Sequence, residues 1–386
     1  MGNVRAEGSR TIAAMDGKRD NATIERFAVA AVLAAACLAI RFAAGRFPEL
    51  FFPAYRGFSK GLMGILSTVT GVAPVALWDF LVVALAAVAF AALALRVRGG
   101  KRIMPWISAV ALAVSVAATL FVGGWALNHY APPLSDELGL KTHESSAEQL
   151  AEATRYYLNQ AAQLAPQVPR TGEGHLADQD FYELGAIAGA AYGPLEGRYD
   201  VFSDGSHAPV KALLLWGEPH LYLGYVGIFM PVTGESSVAY NCANADRPFT
   251  MCHEAAHRLG IASEEEANFA AFLACDASDD VRFRYSGYYN AFSYCYSALY
   301  RADPELAGQL LEDAMDGENA LGVALVLTDS SDTRAHYDAY EGSLEDVGDA
   351  VNNTYLRGFG EEAGVQSYGI VVDYLIAWYE QDASQA

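Results

Sequence analysis

Three long apolar stretches occupy most of the first third of the chain. They share a near-absence of charged side chains and cover residues 27–45, 72–95 and 103–127. Only Arg41, which can extend to the membrane surface, and Asp79 interrupt them. About 20 apolar residues cross a bilayer as a helix, so the pattern predicts three membrane spans. We interpret residues 27–127 as a transmembrane module that follows a polar tail of residues 1–26.

Asp79 is the acid inside the second apolar stretch. An ionisable residue within a membrane span is by default a candidate functional residue, because burying its charge in lipid is costly. Asp79 follows soon after Pro74, which puts it near one end of the span. We therefore expect a structural acid that is solvated or paired with a helix.

The distribution of Lys and Arg predicts the orientation of the spans. Arg96, Arg98, Lys101 and Arg102 lie in the short connection between the second and third spans, and loops rich in these residues stay in the cytoplasm. The third span would then lead out of the cytoplasm. This predicts a multi-pass protein of the cell membrane with residues 128–386 on the extracytoplasmic side. The loop between the first two spans, on the same outer side, also carries three cations: Arg46, Arg56 and Lys60.

The charge of the chain is divided unevenly at about residue 127. Of the 25 Lys and Arg residues, 13 precede residue 128, whereas 40 of the 46 Asp and Glu residues follow residue 127. Such an acidic part is expected to be soluble and to face water. It contains no basic patch, which argues against nucleic acid as a partner. The lipid bilayer is the expected partner of the first part.

Residues 128–386 show the periodicity of helices, with short strands among them. Apolar runs rich in Val, Ile and Tyr lie between glycine and proline residues, which predicts a small sheet with strands at 210–216, 225–231 and 237–241. Ser145 and Glu148 match a capping box and predict the start of a helix that ends near Leu164. The fold class that follows is α+β and mainly helical, with a three-helix transmembrane module before a domain that has a small β-sheet.

A His-Glu-Ala-Ala-His segment at residues 253–257 carries the candidate chemistry. A helix places residues four apart on one face, so His253 and His257 can offer two imidazoles to one ion. Zinc accepts such nitrogen ligands, and a catalytic zinc site has three protein ligands and a water. Glu254 lies beside them and can take a proton from that water, which is why this spacing indicates a hydrolase. Gly260 predicts the end of the helix.

A second helix with an acidic first turn follows at once, and we expect it to fold back beside the first. Ser263 and Glu266 match a capping box, which gives Glu266 a structural role. We therefore predict Glu264 as the third zinc ligand and Asn268, one turn later on the same face, as its supporting partner. Acids in a first turn also complement the helix dipole without binding a metal. Glu265 and Glu266 remain alternative ligands.

A donor that stabilises the oxyanion of the transition state would complete such a site. Tyrosines are candidates, because a phenol can donate a hydrogen bond to that oxygen. Two of them belong to a helix so rich in aromatic residues that core packing is the more common explanation. The candidates are Tyr285, Tyr288 and Tyr355.

Seven short blocks between Phe52 and Tyr379 are shared with a known family. They are residues 71–79, 125–130, 227–235, 248–261, 264–269, 353–357 and 364–369. In these blocks the chain resembles bacterial membrane proteins called the domain of unknown function 3810 family. These are predicted zinc metallopeptidases of the gluzincin type.

The resemblance implies a zincin-like catalytic domain at residues 128–386. It also implies that His253, His257 and an acid of the 264–266 cluster bind one zinc ion and that Glu254 is the general base. We expect a membrane-anchored zinc-dependent hydrolase, a metallopeptidase, whose substrate is a peptide or protein. The alternative is a zinc-stabilised extracytoplasmic sensor or scaffold domain without hydrolytic activity. Glu254 favours the enzyme, because a purely structural zinc site needs no base.

Overall fold

The structure, a computed structural model, is mainly helical and contains one small sheet. It describes residues 2–143, 145–203, 205–358 and 369–383. The chain forms two compact units: the first comprises Met1–Tyr55 and Phe80–Leu127, and the second comprises Arg56–Asp79 and Asn128–Ala386. The mainly helical fold class with a small sheet is confirmed. The zincin-like character of the domain stays a prediction.

Three apolar helices of the described chain are long enough to cross a membrane. These candidate spans are Asp20–Arg46 within α1 (Gly2–Arg46), α3 (Leu77–Arg98) and α4 (Met104–Gly124). They confirm the three predicted apolar helices, although α1 begins well before residue 27 and α4 ends before Trp125. Within the first unit α1 packs along α4, where the Cys37 thiol donates to Thr119 Oγ1 over 3.4 Å. The three helices are thus compatible with membrane association.

A further helix, α2, covers Pro48–Thr70, where the sequence analysis expected an outer loop. Arg56 and Lys60 interrupt its apolar positions, so its sequence does not resemble a membrane span. From Arg56 onwards α2 belongs to the second unit. There the Arg56 guanidinium forms an ion pair with Glu137, and Lys60 Nζ donates to the carbonyl oxygen of Val201 over 2.6 Å. Such tertiary partners, which a local pattern does not reveal, explain how these cations fit into a helix.

Asp79 lies in the first turn of α3 and is completely buried. Its carboxylate accepts hydrogen bonds from the backbone N–H groups of Leu214, Leu215 and Trp216, at 2.9, 2.8 and 2.9 Å. The acid is therefore structural, as expected. Its partners, however, are the backbone amides of a loop in the second unit rather than another helix.

The N-terminus of α3 is capped by Glu235, which lies in the sheet. Its carboxylate accepts hydrogen bonds from the N–H groups of Leu77 and Trp78, at 2.8 and 3.0 Å, and pairs with Lys211 Nζ at 2.6 Å. A carboxylate suits this place, because the first N–H groups of a helix have no partner within the helix. Residues 56–79, which the sequence analysis assigned to the transmembrane module, are thus fixed within the second unit.

The second unit contains a mixed three-stranded sheet in the order β1-β3-β2. β1 (Lys211–Leu213) runs parallel to β3 (Glu235–Ala239), and β2 (Gly227–Met230) runs antiparallel to β3. Val75 adds an isolated parallel bridge to Ala212 in β1. The three predicted strands are confirmed: β1 and β2 are shorter than their apolar runs, and β3 begins two residues before its predicted start. β3 is central and buried, and β2 lies at the edge of the sheet.

The other elements of the second unit are helices around an aromatic core, in which α6 (Ala147–Leu164) packs along α11 (Val281–Ala302) and Tyr157 is fully buried. The predicted capping box at Ser145 and Glu148 is wrong by one residue. Ser146 and Gln149 form it, because Ser146 has the extended backbone of an N-cap. The helices are α5 (Leu134–Leu138), α6 (Ala147–Leu164), α7 (Phe181–Gly189), α8 (Gly217–Leu221), α9 (Arg247–Arg258), α10 (Glu264–Asp276), α11 (Val281–Ala302), α12 (Pro304–Met315), α13 (Ala320–Asp338), α14 (Ser343–Gly358) and α15 (Gly369–Ala383).

Asp79→Ala should destabilise the protein, because three backbone N–H groups would lose their buried, charged acceptor. A hydrogen bond to a charged group contributes about 1.5–3 kcal/mol, so we expect a loss of roughly 3 kcal/mol or more in the free energy of unfolding. Thermal unfolding of the full chain in detergent measures it. Asp20→Ala is the matched control, since Asp20 forms an exposed ion pair with Arg102 and such pairs contribute little. Equal unfolding temperatures for the two variants would contradict this role of Asp79.

Candidate metal centre

The candidate ligands lie on two helices, α9 and α10, that are joined by a tight turn. α9 has Pro248 in its first turn, where a missing N–H is tolerated. The helix ends before Gly260, whose φ of 88° is a conformation that other residues rarely adopt. α10 then packs against α9. The predicted helix end and the return of the second helix are both confirmed.

Three side chains of these helices converge. Nε2 of His253 lies 3.1 Å from Nε2 of His257 and 3.1 Å from Oε2 of Glu264. Nε2 of His257 lies 3.7 Å from the same oxygen. The imidazoles are largely buried, and the Glu264 side chain is 45% exposed. Among the described residues, this is the only group of three His, Cys, Asp or Glu side chains that is spaced to hold a metal ion.

The separations suit a small tetrahedral ion. Ligand atoms that lie about 2.0–2.1 Å from a tetrahedral zinc are about 3.3 Å from one another, by the geometry of the tetrahedron. The three observed separations, 3.1, 3.1 and 3.7 Å, bracket that value. Two imidazole nitrogens and a carboxylate oxygen are also donors that zinc accepts. The residues present therefore fit a zinc ion with three protein ligands and one open position.

Hydrogen bonds on the far side of each imidazole fix its orientation. Nδ1 of His253 lies 2.8 Å from Oδ1 of Asn268, and Nδ1 of His257 lies 2.7 Å from the carbonyl oxygen of Ile261. Both partners are acceptors, so each Nδ1 carries the hydrogen and each Nε2 keeps a lone pair for a metal. Asn268, which the sequence analysis placed as a supporting partner of Glu264, thus contacts the imidazole of His253.

The charges of the cluster shift the pKa values of its members. Burial lowers the pKa of His257, but the Glu264 carboxylate, with Glu254 and the carbonyl of Ile261, raises it to about 9. Burial also raises the pKa of Glu264, but His257 and His253 hold it well below its ordinary value. The cluster therefore favours a positive charge among its acceptor atoms. A divalent cation would supply that charge and would compete with a proton for the same nitrogen.

Glu254 lies beside the cluster, and only 4% of its surface is exposed. Burial raises its pKa to about 7, although the neighbouring histidines act in the opposite direction. Its Oε2 is buried and has no hydrogen-bond partner in the described part of the chain. A buried acceptor without a donor is rare and costs free energy. Such an atom indicates a place where a proton or a water is expected.

Two residues of the sheet position Glu254. Ser236 in β3 donates its hydroxyl to the backbone carbonyl of Glu254 over 2.7 Å. Gly227 in β2 lies against the side chain, where an added Cβ atom would be 2.8 Å from Cγ and 2.9 Å from Cδ of Glu254. A larger residue at this position would displace the carboxyl group or the strand. The sequence analysis missed both contacts, although Gly227 begins one of the blocks shared with the family.

The two alternative acids of α10 have other partners. Glu265 accepts a hydrogen bond from the N–H of Val371 over 2.8 Å, and Glu266 accepts one from the first residue of α5 over 2.7 Å. Ser263 makes no side-chain cap, so the predicted capping box with Glu266 is wrong. Both acids join distant segments to α10. Glu264, the remaining acid of this turn, is the one that faces the imidazoles.

The candidate oxyanion donors also have other partners. Tyr285 donates its buried hydroxyl to Asp329, and Tyr288 donates to Asp276 over 2.6 Å. A phenol has a single proton to donate, so these contacts give both tyrosines structural roles in the helical core. The side chain of Tyr355 lies outside the described residues.

The fold and the site define a protein in which three apolar helices accompany a mainly helical unit with a cluster of two imidazoles and a carboxylate. The chain matches the model of a protein family described as Protein of unknown function (DUF3810) over residues 55–376. It therefore belongs to this family, as the shared blocks indicated. The comparison with curated proteins found no match, and the comparison with solved structures found none either.

Glu264→Gln should lower zinc affinity, because it replaces a charged ligand oxygen by a neutral amide. Removing the outer partners of a zinc ligand lowers metal affinity by about 10–100-fold, and we expect at least that loss for a ligand itself. Competition with a chelator on the full chain in detergent measures it. The control is Glu265→Gln, which changes the neighbouring acid and should keep the affinity of the wild type. Equal affinities of Glu264→Gln and the wild type would contradict this ligand set.

Proposed function

We propose that the protein is a membrane-anchored zinc-dependent hydrolase, a metallopeptidase of the zincin type. One observation carries the proposal. The ligand atoms of His253, His257 and Glu264 converge at separations that suit zinc, beside the buried and unpartnered carboxyl oxygen of Glu254. One zinc ion is the cofactor that suits this donor set. Three ligands and an acid with a pKa of about 7 are what hydrolysis by an activated water requires.

The roles of the side chains follow from their positions. The two imidazoles and Glu264 would hold the ion, which supplies a water with a pKa of about 7. Glu254 would accept the proton of that water through Oε2, which has no hydrogen-bond partner in the described part of the chain. It would then return the proton to the leaving amine. Asn268 and the carbonyl of Ile261 keep the imidazoles oriented throughout.

A peptide or protein is the substrate class that the sheet supports. β2 is an edge strand, and its Gly227 lies next to the side chain of Glu254. An extended chain can add to such an edge through backbone hydrogen bonds, which is a common mode of peptide recognition. A peptide bound along β2 would pass close to the carboxyl group that accepts the proton.

The location that we propose for the site is the extracytoplasmic side of the cell membrane. The basic residues between α3 and α4 favour a cytoplasmic position for that connection. Arg56 and Lys60, which oppose this orientation in the sequence, are engaged within the folded second unit by Glu137 and by backbone carbonyls. The charges of both cations are thus compensated by partners within the second unit.

A zinc-stabilised sensor or scaffold without hydrolytic activity is the alternative. A structural zinc site is closed by four protein ligands. This cluster offers three within the described residues, and the Glu264 side chain is 45% exposed. A structural site also has no need of a buried carboxyl group without a partner, such as that of Glu254. These features favour the enzyme.

Glu254→Gln should abolish hydrolysis and keep the zinc. The amide cannot accept the proton, and general base catalysis contributes about 10²–10⁴-fold to a rate. Cleavage of a peptide mixture by the full chain, followed by mass spectrometry beside a zinc determination, measures both properties. Glu265→Gln should cleave as the wild type does. If the wild type cleaves peptides and Glu254→Gln cleaves them equally fast, the base is assigned incorrectly; a zinc-loaded wild type that cleaves none favours the scaffold.

Gly227→Ala should lower turnover and leave the zinc content unchanged, because the new Cβ atom displaces Glu254 and no metal ligand. The matched control is Gly308→Ala in α12, where an added Cβ atom meets no other atom within 4 Å. The same peptide assay compares both variants with the wild type. Full activity of Gly227→Ala would show that this glycine does not position the base.

A further inference from the structure

The second unit exposes an apolar surface next to the start of α3. Residues 61–78 contain no charged side chain. Ile65 and Val69, four residues apart in α2, are each 66% exposed, and Val72, just after the helix, is 87% exposed. Residues at this spacing lie on one face of a helix. The outward face of this part of α2 is therefore apolar, which is the reverse of the arrangement on a water-soluble helix.

The polar side of α2 faces the protein instead. Lys60 Nζ donates to the carbonyl oxygens of Val201 and Ser203, at 2.6 and 3.0 Å. The hydroxyl of Ser59 accepts a hydrogen bond from the amide of Asn128 over 3.0 Å. Both Ser59 and Lys60 are buried. A helix that buries polar side chains and exposes apolar ones is arranged for an apolar surrounding.

A loop of the same unit presents two leucines beside the first turn of α3. Leu214 and Leu215 are 47% and 46% exposed. Their backbone N–H groups bind the buried carboxylate of Asp79. Leu77, in the same turn of α3, is 41% exposed. Asp79 therefore holds two exposed leucines at the level where a candidate membrane span begins.

We propose that these residues form a lipid-contacting rim that lies in the boundary between the headgroups and the acyl chains of the bilayer. The rim consists of Ile65, Val69, Val72, Leu214 and Leu215. Its occupant is the bilayer, because the rim is continuous with a membrane helix: four residues separate Val72 from α3, and Asp79 ties the loop to the first turn. Scattered exposed apolar residues are ordinary, whereas an uncharged group of them beside a span marks a membrane contact.

The rim would keep the candidate metal centre close to the membrane surface. Glu235 caps the first turn of α3, and the next residue, Ser236, binds the backbone carbonyl of Glu254. Neighbouring Cα atoms are about 3.8 Å apart, so a short path joins the start of the span to the candidate base. Polypeptides presented at the lipid surface are then the substrates within reach. This consequence rests on the proposed function, whereas the rim itself does not.

Site-directed spin labelling tests the rim without an assay of activity. Leu215→Cys and Leu321→Cys are each prepared in the full chain with Cys37→Ala, since the other four native cysteines are buried. Leu321, 72% exposed in α13, is the matched control. Both labelled proteins are reconstituted into phosphatidylcholine vesicles. Electron paramagnetic resonance then measures collisions with oxygen, which partitions into lipid, and with a nickel chelate, which stays in water.

We expect a ratio of oxygen to nickel collisions that is several-fold higher at position 215 than at position 321. Equal ratios would overturn the rim. A label at position 215 that is shielded from both reagents would overturn it as well, because a protein surface, such as a second copy of the chain, would then cover the leucines. Ile65→Cys repeats the measurement at an independent position of the rim. Neither zinc nor hydrolysis enters these results, so they fail or succeed independently of Glu254→Gln.

Discussion

The repulsion among three acceptor atoms governs the candidate site. The Nε2 lone pairs of His253 and His257 face each other across 3.1 Å, and a carboxylate oxygen of Glu264 completes the triangle. Each Nδ1 is already bound to an acceptor, so no hydrogen of the imidazoles can lie inside the triangle unless one ring takes up a second proton. The raised pKa of His257 expresses this need for positive charge. A divalent cation satisfies all three atoms at once, which a single proton cannot do.

The sheet connects this triangle with the rest of the second unit. β3 supplies Glu235 to the first turn of α3 and Ser236 to the backbone of Glu254, and β2 supplies the bare backbone of Gly227 to the side chain of Glu254. The strand that positions the candidate base is thus the strand that caps a candidate membrane span. A fragment that begins at residue 128 would lack residues 56–79 and leave the Glu235–Lys211 pair without the helix end that it caps.

The spacing of residues along the sequence was sufficient to predict that His253 and His257 share one face of a helix, with Glu254 beside them. It also predicted the end of that helix at Gly260. Those features depend on residues within a few turns of one another. The choice among the acids of α10 depended on distant partners: Val371 for Glu265 and the start of α5 for Glu266. The local capping pattern paired Glu266 with Ser263, but in the structure Glu266 accepts a hydrogen bond from the distant N–H of Leu134 instead.

The same distinction explains the fold. Periodicity found the apolar helices and the three strands, because each is visible in a window of a few residues. It did not find α2, whose cations Arg56 and Lys60 look like features of a loop until Glu137 and the carbonyls near Val201 are known. Nor could it find the contact of Gly227 with Glu254, because a glycine has no side chain to suggest a partner.

The contacts of Asp79 have a consequence for how the chain is made. Asp79 and Leu214 are 135 residues apart, which corresponds to roughly 7–27 s of translation at common rates. During that interval the carboxylate lies at the start of α3 without its amide partners. The rest of α3 and all of α4 are synthesised within it, whereas β1 and the loop that follows it come last. Residues 56–79 therefore remain without their contacts to the sheet until well after both apolar helices have been made.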